Sequence, residues 1–312
     1  MAAPAEERLF GHVRGASRVR LFCFYFLVNY NAKPVEKGYN INKRSSLEMM
    51  VINNVWESGG SAPRPRSVLQ TIRIVLAADL ACSETDFLAD GVSVHHAELR
   101  DGRFRFPVRA HSLNIVTMGK GVVISCSHQR VDWVRQNLGH LTRGQIFSIP
   151  TMTMIEEYVR RDNQFIAGPD QKYVCSSDDL AEFNIPQGIS ISTYDRSNVI
   201  KLYEHTVFRH ALSYQSDSPR PDRLASVAEH KGKIVGIAGA SEDSELMWQV
   251  GVDVLPEYQG LGIGKAIVGT LTKRIINEGI VPYYSTEVSN LQSRQLAISL
   301  GYKPAWIQLY AR

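Results

Sequence analysis

Val252-Asp253-Val254-Leu255-Pro256-Glu257-Tyr258-Gln259-Gly260-Leu261-Gly262-Ile263-Gly264-Lys265 is the stretch on which the reading of this chain turns. An apolar strand ends at Pro256, and a turn with glycine at 260, 262 and 264 opens a helix. The helix is marked by the stripe Ile263, Ile267, Leu271 and Ile275, with Lys273 and Arg274 in its last turn and Gly279 as its stop. Without Cβ atoms, successive backbone N–H groups can converge on one oxyanion, and the helix dipole adds partial positive charge. That geometry suits a pyrophosphate. Three alternate glycines cost a helix N-terminus about 1 kcal/mol each relative to alanine, so a turn with no ligand is the weaker reading.

Spacing separates the competing glycine loops. A dinucleotide fingerprint, G-x-G-x-x-G, begun at Gly260 needs glycine where Lys265 stands. A P-loop ending at Gly264-Lys265 needs glycine at 259 and Ser or Thr at 266, where the chain has Gln259 and Ala266. Both fail. Around the turn, the pattern from Gly188 predicts strands over Ile189–Thr193, Leu224–Glu229, Lys233–Ala238, Leu246–Leu255, Val281–Val288 and Tyr302–Tyr310. Helices are expected over Val199–Leu212 and Ser293–Leu300 besides the one after the glycine turn, and Lys231-Gly232 reads as a tight hairpin. This βαβββαβαβ order implies a mixed sheet with helices on both faces.

Gln259-x-x-Gly262-x-Gly264 resembles the (Q/R)-x-x-G-x-(G/A) signature of the GNAT superfamily of acyl-CoA-dependent N-acyltransferases. Val252, Val254 and Pro256 are similar to the approach along that family's fourth strand. Asn290-Leu291-Gln292-Ser293, followed by Leu300-Gly301-Tyr302, is similar to its N-x-x-S/A segment and Leu-Gly-aromatic end. The resemblance covers about residues 188–312 and implies an N-acetyltransferase. The reaction would be transfer of acetyl from acetyl-CoA, as co-substrate and without a metal, to a primary amine of a small molecule or peptide by direct attack. The backbone of Gln259, Gly260, Leu261, Gly262, Ile263 and Gly264 would hold the pyrophosphate, with Lys265 as counter-charge. The pantetheine arm would bond along Val252 and Val254 and to Asn290, with Ser293 nearby; for Asn290 the alternative is an ordinary helix cap. A backbone N–H of Val252 or Val254 would stabilise the oxyanion. The attacking amine must be neutral, and Glu245, Asp253 and Glu287 are the candidate bases, with Glu245 ranked first on position.

Two departures from the family pattern matter. Many relatives place a tyrosine seven residues after the asparagine to protonate the departing thiolate, and here that position is Ala297. Tyr284 and Tyr302 are the candidate substitutes, each with a core-aromatic alternative. The empty position keeps open a second function, a non-catalytic acyl-CoA-binding or sensing protein. Relatives also end in two strands after the last helix, where this chain has one, so a strand from the N-terminal half or a second subunit, as in a homodimer, is expected to complete the sheet.

Residues 1–187 carry no family motif. Three parts are expected: a basic arm over 1–46, a smaller N-terminal α/β lobe over 47–187 that shapes the acceptor pocket or an interface, and the acyltransferase domain over 188–312. Within the lobe, a helix is expected over Ser46–Trp56 and a linker over Ser61–Arg66. Hairpins are expected over Gly91–Leu99 with Arg103–Val108 and over Leu113–Met118 with Val122–Cys126. Helices follow at Val131–Leu138 and from Pro150 to Val159, and Gly168-Pro169-Asp170 reads as a turn.

Of 35 basic and 31 acidic side chains in 312 residues, eight and four fall in residues 1–48. The remainder is 27 against 27, so the body carries no nucleic-acid footprint. The longest apolar run, Leu21–Val28, is about half the length of a membrane-spanning helix. Cys23, Cys82, Cys126 and Cys175 lie tens of residues apart with no paired spacing, which points to a reducing, cytoplasmic setting and away from zinc or a disulfide framework.

Overall fold

The computed structural model describes residues 66–312. The basic arm, the helix expected over Ser46–Trp56, the run Leu21–Val28 and most of the linker lie outside the described residues. The elements in chain order are α1 (Val68–Leu80), β1 (Val92–His96), β2 (Leu113–Thr117), β3 (Val122–Cys126), α2 (Val131–Leu138), α3 (Arg143–Ile146), α4 (Ile149–Arg160) and β4 (Ile166–Val174). There follow β5 (Ile189–Tyr194), β6 (Asp222–His230), β7 (Lys233–Glu242), β8 (Met247–Val254), α5 (Ile263–Asn277), β9 (Val281–Glu287), α6 (Leu291–Ser299) and β10 (Lys303–Ala311). The ten strands make one mixed sheet in the order β1-β3-β2-β10-β4-β9-β8-β7-β6-β5.

Alternation along the strands assigns the two faces. Val250, Tyr284, Tyr173 and Tyr302 pack with the α5 stripe of Ile263, Ile267, Leu271 and Ile275. On the same face, Ile115, Ile124 and Leu309 pack with Val134 and Leu138 of α2 and with Ile155 and Val159 of α4. The opposite face carries two separate patches. Ile72, Val75, Leu76 and Leu80 of α1 cover Val116, Met247, Tyr283 and Trp306, and Val199, Leu202, Phe208 and Leu212 cover Ala225, Val227 and Ile237. The strip of sheet between those two patches is polar, and it borders the site described below.

From Gly188 onward the element order follows the sequence expectation except over Val199–Leu212. That segment is helical only as a 3-10 turn at Val199–Glu204, because its remainder lies flat on two strand glycines. The β6–β7 hairpin forms as expected, with Lys231 at φ 51° and Gly232 at φ 77°.

The N-terminal half departs more. The expected hairpin of Gly91–Leu99 with Arg103–Val108 does not form: β1 pairs instead in parallel with β3. Residues 103–108 are irregular, with Phe104 buried beside Trp306. The β2–β3 hairpin, α2 and α4 are as expected. Gly168-Pro169-Asp170 is not a turn but lies within β4, where pairing with β10 shifts register. Helix α1 was not anticipated, since Ile72-Arg73-Ile74-Val75-Leu76-Ala77-Ala78 is too uniformly apolar to show a helical stripe. Its start is set by Ser67, whose Oγ accepts the Gln70 N–H at 3.2 Å.

The missing last strand is supplied from before the domain. β4 lies between β9 and β10, antiparallel to both, and β10 continues the sheet into β2.

Candidate active site

Parallel pairing of β8 with β9 stops at Val250 and Tyr284, yet β8 runs on to Val254 and β9 to Glu287. The two strands therefore part, and among the described residues the outer edge of β8 over residues 251–254 has no strand neighbour. The Leu255 N–H donates to Val235 O on β7 at 2.9 Å. Alternation then turns the N–H and C=O groups of Val252 and Val254 the other way, into the opening. Val254 O accepts the Gln259 side-chain amide at 3.1 Å, which ties the signature glutamine to the strand.

The glycine turn closes one end of this opening. Gly260 has φ 76° and Gly262 φ 82°; Gly262 is the N-cap of α5, and no side chain caps that helix. The first helical bond runs from Ala266 N–H to Gly262 O at 3.1 Å, so the N–H groups of Ile263, Gly264 and Lys265 have no partner within the helix. A Cβ at Gly260 would meet nothing within 4 Å, and one at Gly262 only Pro186. Positive φ, not crowding, therefore requires glycine here. Ile263 anchors the turn in the core, Gln259, Gly260, Leu261 and Gly262 are exposed, and Gly264 and Lys265 are half-buried.

Asn290 and Ser293 stand at the start of α6. Asn290 Oδ1 accepts the Ser293 N–H at 3.1 Å, so Asn290 is the helix cap weighed in the sequence. Tyr284 occupies the last paired position of β9, at the apex of the opening, and is 4% exposed with its ring edge-on to Tyr302. The Tyr302 hydroxyl shares a 2.7 Å hydrogen bond with Thr272, and burial pushes its pKa well up; it is a core aromatic. Ala297 is fully buried against α5.

The three candidate carboxylates separate in space. Glu245 is exposed before β8 and lines a depression against residues 99–105. From Met247 to Val252 the strand advances about 16 Å away from that end, so the structure sets Glu245 apart from the opening. Glu287 is exposed at the far end of β9, opposite Asp170. Asp253 is on β8 at the opening, and it holds a residue that sequence reasoning missed: its carboxylate accepts the His210 backbone N–H at 2.6 Å and pairs with His210 Nδ1 at 2.9 Å.

Paired glycines explain why His210 lies there. Gly239 and Gly251 are cross-strand partners, and Cβ atoms on them would come within 2.0 Å of Ala211 O and 2.1 Å of His210 O. An isolated glycine in a strand pattern signals such a close backbone approach, and this was the available clue. Burial pushes up the neighbouring Tyr203 phenol, to about 12, helped by its bond to Asp222; burial likewise raises Asp222 against the Tyr203 and Ser213 hydrogen bonds.

The polar strip beside the opening was not legible either. Lys172 Nζ donates to Ser285 Oγ at 2.5 Å and lies 3.3 Å from Asp170. The Tyr283 hydroxyl donates to Asp243 and lies 2.9 Å from Gln249 Oε1, and Arg220 reaches Asp243 at 3.4 Å while lying 5.0 Å over the Phe106 ring. Burial, and then Asp170, push up the Tyr310 phenol. Among the described residues no group of three His, Cys, Asp or Glu side chains could hold a metal ion, and no helix is long and apolar enough to cross a membrane.

Solved structures similar to this chain include a GNAT-family protein from Novosphingobium aromaticivorans, 15% identical over 47% of this chain and 66% of its own, with a TM-score of 0.37. A GCN5-related N-acetyltransferase-like protein from Streptococcus suis is 22% identical over 53% of this chain and 69% of its own, with a TM-score of 0.38. A GCN5-related N-acetyltransferase from Kribbella flavida is 16% identical over 49% and 62%, also at 0.38. The chain thus spans about two thirds of the length of these proteins. No curated protein matches it. The family model described as acetyltransferase (GNAT) family matches residues 192–302, which takes in β8, the glycine turn, α5, β9 and α6. The segment that carries the opening is therefore the part of this chain that is similar to the GNAT acetyltransferase family.

Proposed function

We propose that the chain is an acyl-CoA-dependent N-acyltransferase that moves an acetyl group from acetyl-CoA to a primary amine of a small molecule or peptide. One observation carries this reading: the unpaired edge of β8 leads straight to an uncapped helix N-terminus built on positive-φ glycines. An extended amide-bearing arm can bond along Val252 and Val254 while its pyrophosphate sits on the N–H groups from Gln259 to Gly264, with Lys265 as counter-charge. Asn290 and Ser293 flank the arm from α6. The Val252 N–H, directed into the opening, bonds the carbonyl oxygen as it becomes an oxyanion. Tyr284, at the apex, is the phenol that would protonate the departing thiolate.

Calorimetric titration with acetyl-CoA, followed by thiol release against aminoglycosides, polyamines, amino acids and peptides, tests the reading. Binding with amine-dependent release is the expected result, and no binding overturns it. The burial of Ala297 where relatives carry a tyrosine favours one rival, an acyl-CoA-binding protein without turnover. Binding with no release from any amine would support that rival.

A further inference from the structure

We propose that His210, oriented by Asp253, is the group that takes the proton from the acceptor amine. This rests on the acyltransferase reading above. Asp253 lies on β8 between Val252 and Val254, whose backbones face the opening, and alternation sends its side chain to the face opposite α5. There it binds His210 twice, at the backbone N–H and at Nδ1. A carboxylate on Nδ1 fixes the ring orientation and the tautomer that carries its second lone pair on Nε2. The Gly239–Gly251 pair lets the His210–Ala211 backbone lie directly on the sheet, so the imidazole is held beside the point where β8 leaves β9. Both side chains keep about a quarter of their surface exposed, which leaves the pair open to solvent for proton exchange. Among the described residues, the charged and titratable groups facing this segment include Asp253 from β8, Asp222 from β6, and Tyr203 and Tyr214 from the chain on either side of it.

The step balances as follows. An ammonium acceptor gives one proton to His210 Nε2, and the neutral amine nitrogen forms a bond to the thioester carbonyl carbon. Collapse of the tetrahedral adduct breaks the C–S bond, the second nitrogen proton passes to the sulfur, and the imidazolium returns its proton to water. The products are an amide, free thiol and one proton.

The test measures thiol release from acetyl-CoA as a function of pH with spermidine, lysine and phenethylamine as probes. In the wild type, kcat/KM is expected to fall on the acid side, where protonation removes the lone pair that accepts the amine proton. His210→Gln is expected to lower kcat/KM by about 100-fold and to move the acid limb up toward the ionisation of the acceptor amine itself, which must then arrive neutral, with calorimetric affinity for acetyl-CoA unchanged. Gly251→Ala, which displaces the His210 backbone without removing the imidazole, should lower kcat and keep the acid limb. A His210→Gln enzyme with wild-type kcat/KM and an intact acid limb would overturn the inference alone. Failure of the wild type to bind acetyl-CoA overturns the acyltransferase reading, and this inference with it. Binding without release from any probe leaves no proton transfer for His210 to make and overturns the inference while sparing the binding site.

Discussion

Gly262 has φ 82° with open space around it, so a valine there is opposed by backbone strain and not by a clash. The strain amounts to about 1–2 kcal/mol, within what a folded domain tolerates. Gly262→Val should therefore keep its far-UV circular dichroism while its affinity for acetyl-CoA falls at least about tenfold, because the N–H groups at the head of α5 no longer converge. Unchanged affinity by calorimetry would remove the pyrophosphate from this turn. The cysteines are a second case in which surroundings and not residue type decide behaviour. Burial pushes the Cys82 thiol up to about 12, with help from Asp86, and the Cys175 thiol to about 12, with help from Asp179; it takes Cys126 to about 11 against the pull of Arg130. A thiol reacts as its thiolate. In a Cys23→Ser chain at pH 8, these three are expected to resist a disulfide-exchange reagent while folded and to react fully in denaturant. Rapid labelling of any of them in the folded chain would contradict the packing.

Helix α6 poses a choice that its cap resolves. Asn290 Oδ1 bonds the Ser293 N–H, a contact worth about 1 kcal/mol in helix stability, while the proposed role toward the pantetheine amide also uses the side-chain nitrogen. Asn290→Asp keeps the acceptor and loses that donor; Asn290→Ala loses both. The aspartate variant is expected to melt like the wild type but with a raised KM for acetyl-CoA, and the alanine variant to lose stability as well. An aspartate variant with wild-type KM would reduce Asn290 to its capping role. Strand β8 has a similar double use, since its even residues build the α5 core while its odd residues, Gly251 and Asp253, form the opposite wall of the site.

One sheet of ten strands joins everything described. β9 borders the site on one edge and pairs with β4 on the other, and β10 is held between β4 and β2. A fragment beginning at Gly188 would expose both edges of β10 and the outer edge of β9, together with the buried faces of Tyr284 and Trp306. Open edges of that kind aggregate. Residues 188–312 alone are expected to be insoluble or unfolded, and a chain beginning at Arg66 to melt in one transition by calorimetry. A soluble, cooperatively folding 188–312 fragment would show that the two halves are energetically separate.

The strand, glycine turn and helix over residues 252–275 were readable because each rests on local chemistry: alternation, positive φ and a 3.6-residue stripe act within a few residues of one another. The same holds for the β6–β7 hairpin and for α2, α4 and α6. The strand that fills the sheet between β9 and β10 was not readable, because β4 meets its partners across more than a hundred residues of chain and its sequence, interrupted by Gly168-Pro169, imitates a turn. His210 escaped for the same reason, as nothing near it in the chain marks it. Its place depends on Gly239 and Gly251 being opposite each other, and on Asp253 reaching across from β8. Local conformational preference wrote the strand, the glycine turn and the helix after it into the chain. The polar groups beside the opening, His210, Asp253, Lys172 and Arg220, take their places through strand pairing at long range, where burial and register outweigh any local pattern.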